Sequence, residues 1–268
     1  MTASAFVTAG CGRAGGGPDA GLDASDTIPP PLKVDVSGTA AIHPAAEAWM
    51  TDAGIPLPSL AGLTARAEEP FRLALQDSQA ILGETAVAPN GGFAIPDVNT
   101  GLVTRGIAVG LADARDSGAA PFIPAATVVF DVKLHESLPQ ADITGARVWA
   151  IPFAYEEQLT AAVSPTRICE LTTADGGCSA ASLVEAGFMF GQIVDENGNP
   201  VTGAQIETDP PSWADRFFYP SDDLREVTQT STHANGLFIF VHTGGVIEPF
   251  AFRVKDPLGG YRWWNGGG

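Results

Sequence analysis

At 268 residues the chain is longer than one average domain, and its length points to about two. It carries 14 Lys and Arg against 31 Asp and Glu, a formal net charge of −17. A surface this acidic repels phosphate backbones and anionic headgroups, so nucleic acid and polybasic membrane attachment are poor fits. Hydrophobic residues at 45% suffice for a buried core, while 31 glycines and 21 prolines favour turns and short strands over long helices. No run of about 18 apolar residues offers a membrane-spanning helix.

The chain opens on small apolar residues, Met1 to Gly10, ending Thr8-Ala9-Gly10-Cys11. This resembles the end of a bacterial lipoprotein signal, in which small residues mark the cleavage site and the following cysteine receives lipid. Cys11 is the candidate lipidation residue; the alternative is an unstructured start with an incidental cysteine. From Gly12 to Pro31 the composition is too rich in Gly, Asp and Pro to bury a core, so residues 1–32 read as signal and flexible tether. Gly10 to Gly15 formally matches GxGxxG, but Gly16-Gly17-Pro18 follows where a helix must open, so no dinucleotide site is assigned.

From Lys33 the pattern changes to short alternating or apolar runs bounded by Gly, Pro, Asn and Asp. Strands are expected at Lys33–Ile42, Gly62–Arg66, Ile81–Val87, Gly92–Pro96, Arg105–Asp113, Thr127–Leu134 and Ala146–Ile151. Pro44 to Met50 suits a helical turn, and Glu68 to Ser78 fits either class. A helix is expected over Tyr155–Val163, stopped by Ser164-Pro165, and a short one over Ser179–Ala186 capped by Gly187. Strands resume at Phe188–Asp195, Ala204–Glu207, Arg225–Thr230, Leu237–Val241, Phe250–Lys255 and Tyr261–Trp264, with 208–224 as an aromatic insertion. Cys169 and Cys178 flank Asp175-Gly176-Gly177, a turn that lets the sulfurs meet, so they are assigned as a disulfide.

An internal echo organises these elements. Thr85 to Phe93 and Thr230 to Phe238 each run from a strand into Asn-Gly, with a Phe three positions after the Asn. Asn-Gly suits a tight hairpin, and the Phe can turn into a core. Val34 to Gly38 and Phe188 to Val194 precede the two copies; Ile107–Asp113 and Phe250–Asp256 follow them. The expected fold class is therefore all-β: two Greek-key β-sandwich domains, residues 33–153 and 187–268, joined by a short helical, disulfide-stapled connector at 154–186.

Gly191-Gln192-Ile193-Val194-Asp195-Glu196-Asn197-Gly198-Asn199-Pro200-Val201, then Gly203-Ala204 and Thr232-His233-Ala234-Asn235-Gly236-Leu237-Phe238, resembles the carboxypeptidase regulatory-like (transthyretin-like) domain family. The likeness covers about Phe188 to Lys255. It implies a seven-stranded Greek-key sandwich used as a stalk, spacer or recognition module, with no chemistry of its own. The N-terminal copy is degenerate, with Ile55-Pro56-Leu57-Pro58 standing where Pro-Val is expected.

Catalytic patterns do not assemble. His43, His135, His233 and His242 form no ligand spacing, and neither a nucleophile elbow nor a phosphate loop is present. Asp195, Asn197 and Asn199 hint at a Ca²⁺ loop, but the twelfth position is Ile206 rather than Glu, which favours a plain turn. Trp213, Tyr261, Trp263 and Trp264 are the candidate ligand-binding residues, because stacked rings can hold sugars; core packing is the competing account. The expectation is a non-enzymatic cell-envelope lipoprotein, outer-membrane-anchored or extracellular, acting as a structural or binding module. It needs no metal and no cofactor. Its partners would be other envelope or extracellular proteins, or polysaccharide, with membrane contact only through lipid on Cys11. The alternatives are a carbohydrate-binding or adhesion module and a subunit of an extracellular filament.

Overall fold

A computed structural model describes residues 32–113, 115, 120–173, 177–195, 197–209, 211–242, 251–255 and 261–262. Cys11, the tether, Trp263 and Trp264 lie outside the described residues. The first half runs β1 (Lys33–Ile42), α1 (Pro44–Asp52), β2 (Leu63–Glu68), α2 (Pro70–Ala74), β3 (Ile81–Ala86), β4 (Gly92–Asn99), β5 (Gly106–Asp113), β6 (Phe122–Ile123), β7 (Ala125–Asp131), α3 (Val132–His135) and β8 (Ile143–Pro152). Its strands form two sheets, ordered β4-β1-β8-β6 and β3-β2-β5-β7. β1 alternates exposed Lys33 and Asp35 with buried Val34 and Val36, the period-2 pattern of a strand with one face on a core. Val34, Val36, Ile95 and Val148 of the first sheet meet Leu63, Ala65, Ile107 and Val109 of the second in that core.

Three helices follow: α4 (Phe153–Val163), α5 (Pro165–Thr172) and α6 (Leu183–Ala186). The second half comprises β9 (Phe188–Gln192), β10 (Gln205–Asp209), β11 (Phe217–Pro220), β12 (Val227–Thr228), β13 (Leu237–Val241), β14 (Ala251–Lys255) and β15 (Tyr261–Arg262). Its sheets are ordered β12-β11-β13-β9 and β10-β14-β15. The chain is thus mainly β, in four sheets, as its composition suggests.

β13 explains how the parts join. Its sequence Leu-Phe-Ile-Phe-Val has no polar residue, and every position is buried. A strand covered on both faces has no solvated side, so it reads as a continuous apolar run. Phe238 and Phe240 enter a core with Phe217, Tyr219, Ile206 and Val254. Leu237, Ile239 and Val241 face the other way, onto Tyr155, Leu159 and Val163 of α4, Ile168 of α5 and Leu183 of α6. Ala46, Ile123 and Ile151 from the first half enter this same cluster. The helices are therefore a packed layer between the halves rather than a loose connector. Cys169 and Cys178 are disulfide-bonded, with Cα atoms 5.0 Å apart, which ties α5 to the segment entering α6.

The internal echo repeats down to single hydrogen bonds. Gly91 N donates to Ala88 O and Gly236 N to His233 O, closing the same four-residue turn twice. Asn90 Oδ1 accepts from Gly92 N at 3.1 Å, and Asn235 Oδ1 from Leu237 N at 3.0 Å. Phe93 lies opposite Gly38 on β1, and Phe238 lies opposite Gly191 on β9. Gly91 and Gly236 both take positive φ, 84° and 66°. A Cβ on Gly236 would sit 2.6 Å from Ile193 O, so backbone conformation and space both demand glycine there. Gly236→Ala is expected to cost about 2 kcal/mol, read as a lower urea midpoint with an unchanged slope.

Three expectations need correction. The Asn-Gly bends are not hairpins. β3 and β4 belong to different sheets, and β12 and β13 are separated by β11, so each bend redirects the chain instead of pairing its flanks. The Asn side chain, satisfying the next backbone N–H but one, suits such a corner equally well. The strand expected over Thr127–Leu134 ends at Asp131, because its partner β5 begins at Gly106 opposite it; α3 follows, with Phe130 stacked on His135 at 4.3 Å. The stop expected at Ser164-Pro165 stands, since α4 ends at Val163; in addition Pro165 opens α5, because proline at the first helical position loses no hydrogen bond. The 208–224 insertion contains β11, whose Phe217, Phe218 and Tyr219 are core residues.

The spacing of the second-half motif also acquires a physical cause. Gly203 N donates to Thr232 O, Thr232 N to Ala204 O, and Ala204 N to the Thr232 hydroxyl at 2.9 Å. The Gly-Ala pair and the Thr are thus one backbone clamp joining the start of β10 to the approach to β13.

Candidate functional site

A cleft of about 470 Å³ lies where the two halves meet, within the range of small-molecule sites. One wall is α1, with Ala45, Trp49 and Asp52. The other is the turn carrying Asp222, Asp223 and Arg225, and Gln158, Asn235 and Leu237 also line it.

Each wall is locally determined. α1 begins at Pro44, and the His43 Nδ1 accepts from Ala45 N at 3.2 Å, capping the first turn. Ala46 and Met50 bury the helix's inner face. Trp49, half-buried, rests against Tyr155 with ring centroids 5.9 Å apart. The opposite turn closes through Ser221 N to Glu226 O and Leu224 N to Ser221 O. Leu224, at φ 55°, drives its side chain into the helical core.

Side chains then pin this turn. Gln158 Nε2 donates to Leu224 O at 2.7 Å. Asn235 Nδ2 donates to Pro220 O at 3.1 Å and Ser221 O at 3.0 Å, while Asp222 Oδ1 accepts from Asn235 N at 2.9 Å. Asp223 Oδ1 accepts from the Ser221 hydroxyl at 2.7 Å and from Arg225 N at 3.2 Å, and Oδ2 lies 3.6 Å from the Arg225 guanidinium. The Ser221 hydroxyl, followed by the Arg225 amide and charge, holds the Asp223 carboxyl below the usual carboxylate range. Asn235 therefore acts twice: it shapes its own bend and anchors the facing turn.

His43 lies beneath the cleft's helix. It is 6% exposed and packs edge-on against Phe190 at 4.7 Å and Trp149 at 5.5 Å, bringing β1, β8 and β9 together. Burial pushes its pKa down to about 4. Burial also raises the Tyr155 hydroxyl.

The aromatic residues singled out from the sequence are placed differently. Trp213 is 7% exposed on a 3₁₀ turn at Pro211–Arg216, and its ring stacks on Phe240 at 5.6 Å with an interplanar angle of 10°. It is a core residue of the second half. The backbone of Tyr261 pairs with Lys255 in β15, and Trp263 and Trp264 lie outside the described residues. Trp49, Asp52, Asp222 and Asp223 were not singled out, because nothing in their local spacing brings residues 49 and 222 together. The acidic pair before Leu224 was the available hint.

At the Asp195 loop, the carboxylate accepts from Asn197 N at 2.8 Å, Asn199 N at 2.9 Å and Asn199 Nδ2 at 3.2 Å. These bonds, the Asn199 amide first, hold its pKa down and make it a turn-closing group. Among the described residues, no group of three His, Cys, Asp or Glu side chains is placed to hold a metal ion, and no helix is long and apolar enough to cross a membrane. Compared with known proteins, the chain matches no family model, no curated protein and no solved structure.

Proposed function

We propose that the protein is a non-enzymatic binding and spacing module of the bacterial cell envelope. In this reading two Greek-key β-sandwiches, at 33–153 and 187–268, are carried on a tether that ends in a lipid on Cys11. The second belongs with the carboxypeptidase regulatory-like sandwiches. The observation that carries the reading is the shared helical core, in which Ala46, Ile123 and Ile151 of the first half meet Leu237, Ile239 and Val241 of the second. Such a joint holds two recognition surfaces in one geometry, which suits a rigid spacer better than a flexible pair. The register-matched Asn-Gly corners support a duplicated β unit. Gln158 and Asn235 donate to backbone carbonyls, and Asp222 and Asp223 accept from backbone N–H groups and the Ser221 hydroxyl, an arrangement for holding a shape rather than for transferring protons. The acidic surface keeps such molecules apart at the cell exterior.

The test is lipid labelling of the full chain in a bacterial host grown with radiolabelled palmitate. Label and sedimentation with membranes are expected for the native sequence, and both should vanish in Cys11→Ser. An unlabelled native chain in the soluble fraction rejects the anchor.

A further inference from the structure

We infer that the cleft between α1 and the Ser221–Glu226 turn is a binding site for an uncharged oligosaccharide. The inference rests on the reading of the protein as a binding module and assigns that module its ligand. Three properties of the cleft point the same way.

The first is a platform. Trp49 lies on the cleft wall, half-buried and backed by the Tyr155 ring at 5.9 Å, so its indole is held in place before any ligand arrives. The C–H face of a sugar ring packs on such a surface.

The second is the chemistry around it. Asp52, Asp222, Asp223, Gln158 and Arg225 are planar groups with donor or acceptor capacity left for sugar hydroxyls, while Asn235 is spent on holding the turn. A sugar hydroxyl both donates and accepts, and this lining offers carboxylate acceptors beside the second Gln158 N–H and the Arg225 guanidinium. Most of these groups are already fixed by bonds to Leu224 O, Pro220 O, Ser221 and Asn235 N. Little side-chain freedom is therefore lost on binding.

The third is charge. Three carboxylates face one guanidinium in the lining, which disfavours phosphates and uronic acids. An organic cation would meet Arg225 on the turn and find Asp223 already paired with it at 3.6 Å. A neutral polyol meets neither obstacle.

The experiment is calorimetric titration of the full chain with four neutral probes, cellotetraose, maltotetraose, chitotetraose and mannotetraose, beside trigalacturonate and cadaverine. Saturable heat is expected with at least one neutral probe and none with trigalacturonate or cadaverine. Trp49→Ala should weaken that binding about tenfold through loss of the stacked ring. Asp52→Asn, an exposed change that leaves the fold intact, should weaken it about threefold by removing one charged acceptor. No saturable heat with any neutral probe overturns the inference. So does binding of cadaverine or trigalacturonate alone, or affinity unchanged in both variants. Lipid labelling does not involve the cleft, so a failed titration with intact labelling removes the ligand and keeps the anchored module. Failed labelling with saturable binding does the reverse.

Discussion

Replacing Phe238 with alanine lowers the stability of the folded chain by about 4 kcal/mol, the middle of the range for a buried aromatic. Phe238 is fully buried, and its ring occupies the space left by Gly191 on the neighbouring strand, where a Cβ would come within 2.6 Å of it. Phe217, at 6.1 Å, shares the same core. No side chain on β9 can move into the vacated volume at that register, because glycine stands there. The cavity is therefore not filled from β9, which keeps the cost well inside the range for a buried aromatic. Urea denaturation of wild type and variant measures it. A loss below about 1 kcal/mol would show that the ring is not a core anchor. Phe93→Ala, at the matching position opposite Gly38, should behave alike with a smaller loss, since Phe93 keeps some exposure.

Stability falls by about 2.5 kcal/mol between about pH 7.5 and about pH 4.5 through His43 alone. Burial lowers its pKa to about 4 in the folded chain, against 6.5 when exposed. The unfolded chain therefore takes up a proton below pH 6.5 that the folded chain refuses until pH 4. The contribution is fully present above 6.5, declines through the window between the two values, and levels off below 4. Its full extent is about 3 kcal/mol. His43→Asn keeps an N-cap acceptor for Ala45 N but cannot titrate. Comparing the two proteins by urea denaturation across this range cancels the carboxylates they share. Parallel pH profiles for wild type and variant would refute the assignment.

Much of the β framework was legible because its strands have one wet face or a clear Asn-Gly boundary. β1 and β13 match their expected limits, Lys33–Ile42 and Leu237–Val241, and Gly187 caps α6. What local patterning could not convey was pairing. The same Asn-Gly signal serves a hairpin or a corner, and only long-range contact decides between them. β11 was hidden for a related reason: Phe217, Phe218 and Tyr219 read as an aromatic patch until β12 and β13 pair on either side and the two clusters cover the strand's two faces. The site was least legible of all. Trp213 and Trp49 have equally unremarkable neighbours in the chain, yet one stacks inside on Phe240 and the other walls a cleft made by residues more than a hundred positions away.

The two-sided burial of β13 couples the two halves of the chain. Were the chain cut ahead of Phe188, the C-terminal piece would present Leu237, Ile239 and Val241 to water as a continuous greasy stripe. The N-terminal piece would keep three helices with nothing beneath them. Each half has its own sheets and a cluster of its own, but both also contribute to the shared helical core. One strand thus serves two interiors, so a change on either face of β13 is felt in both.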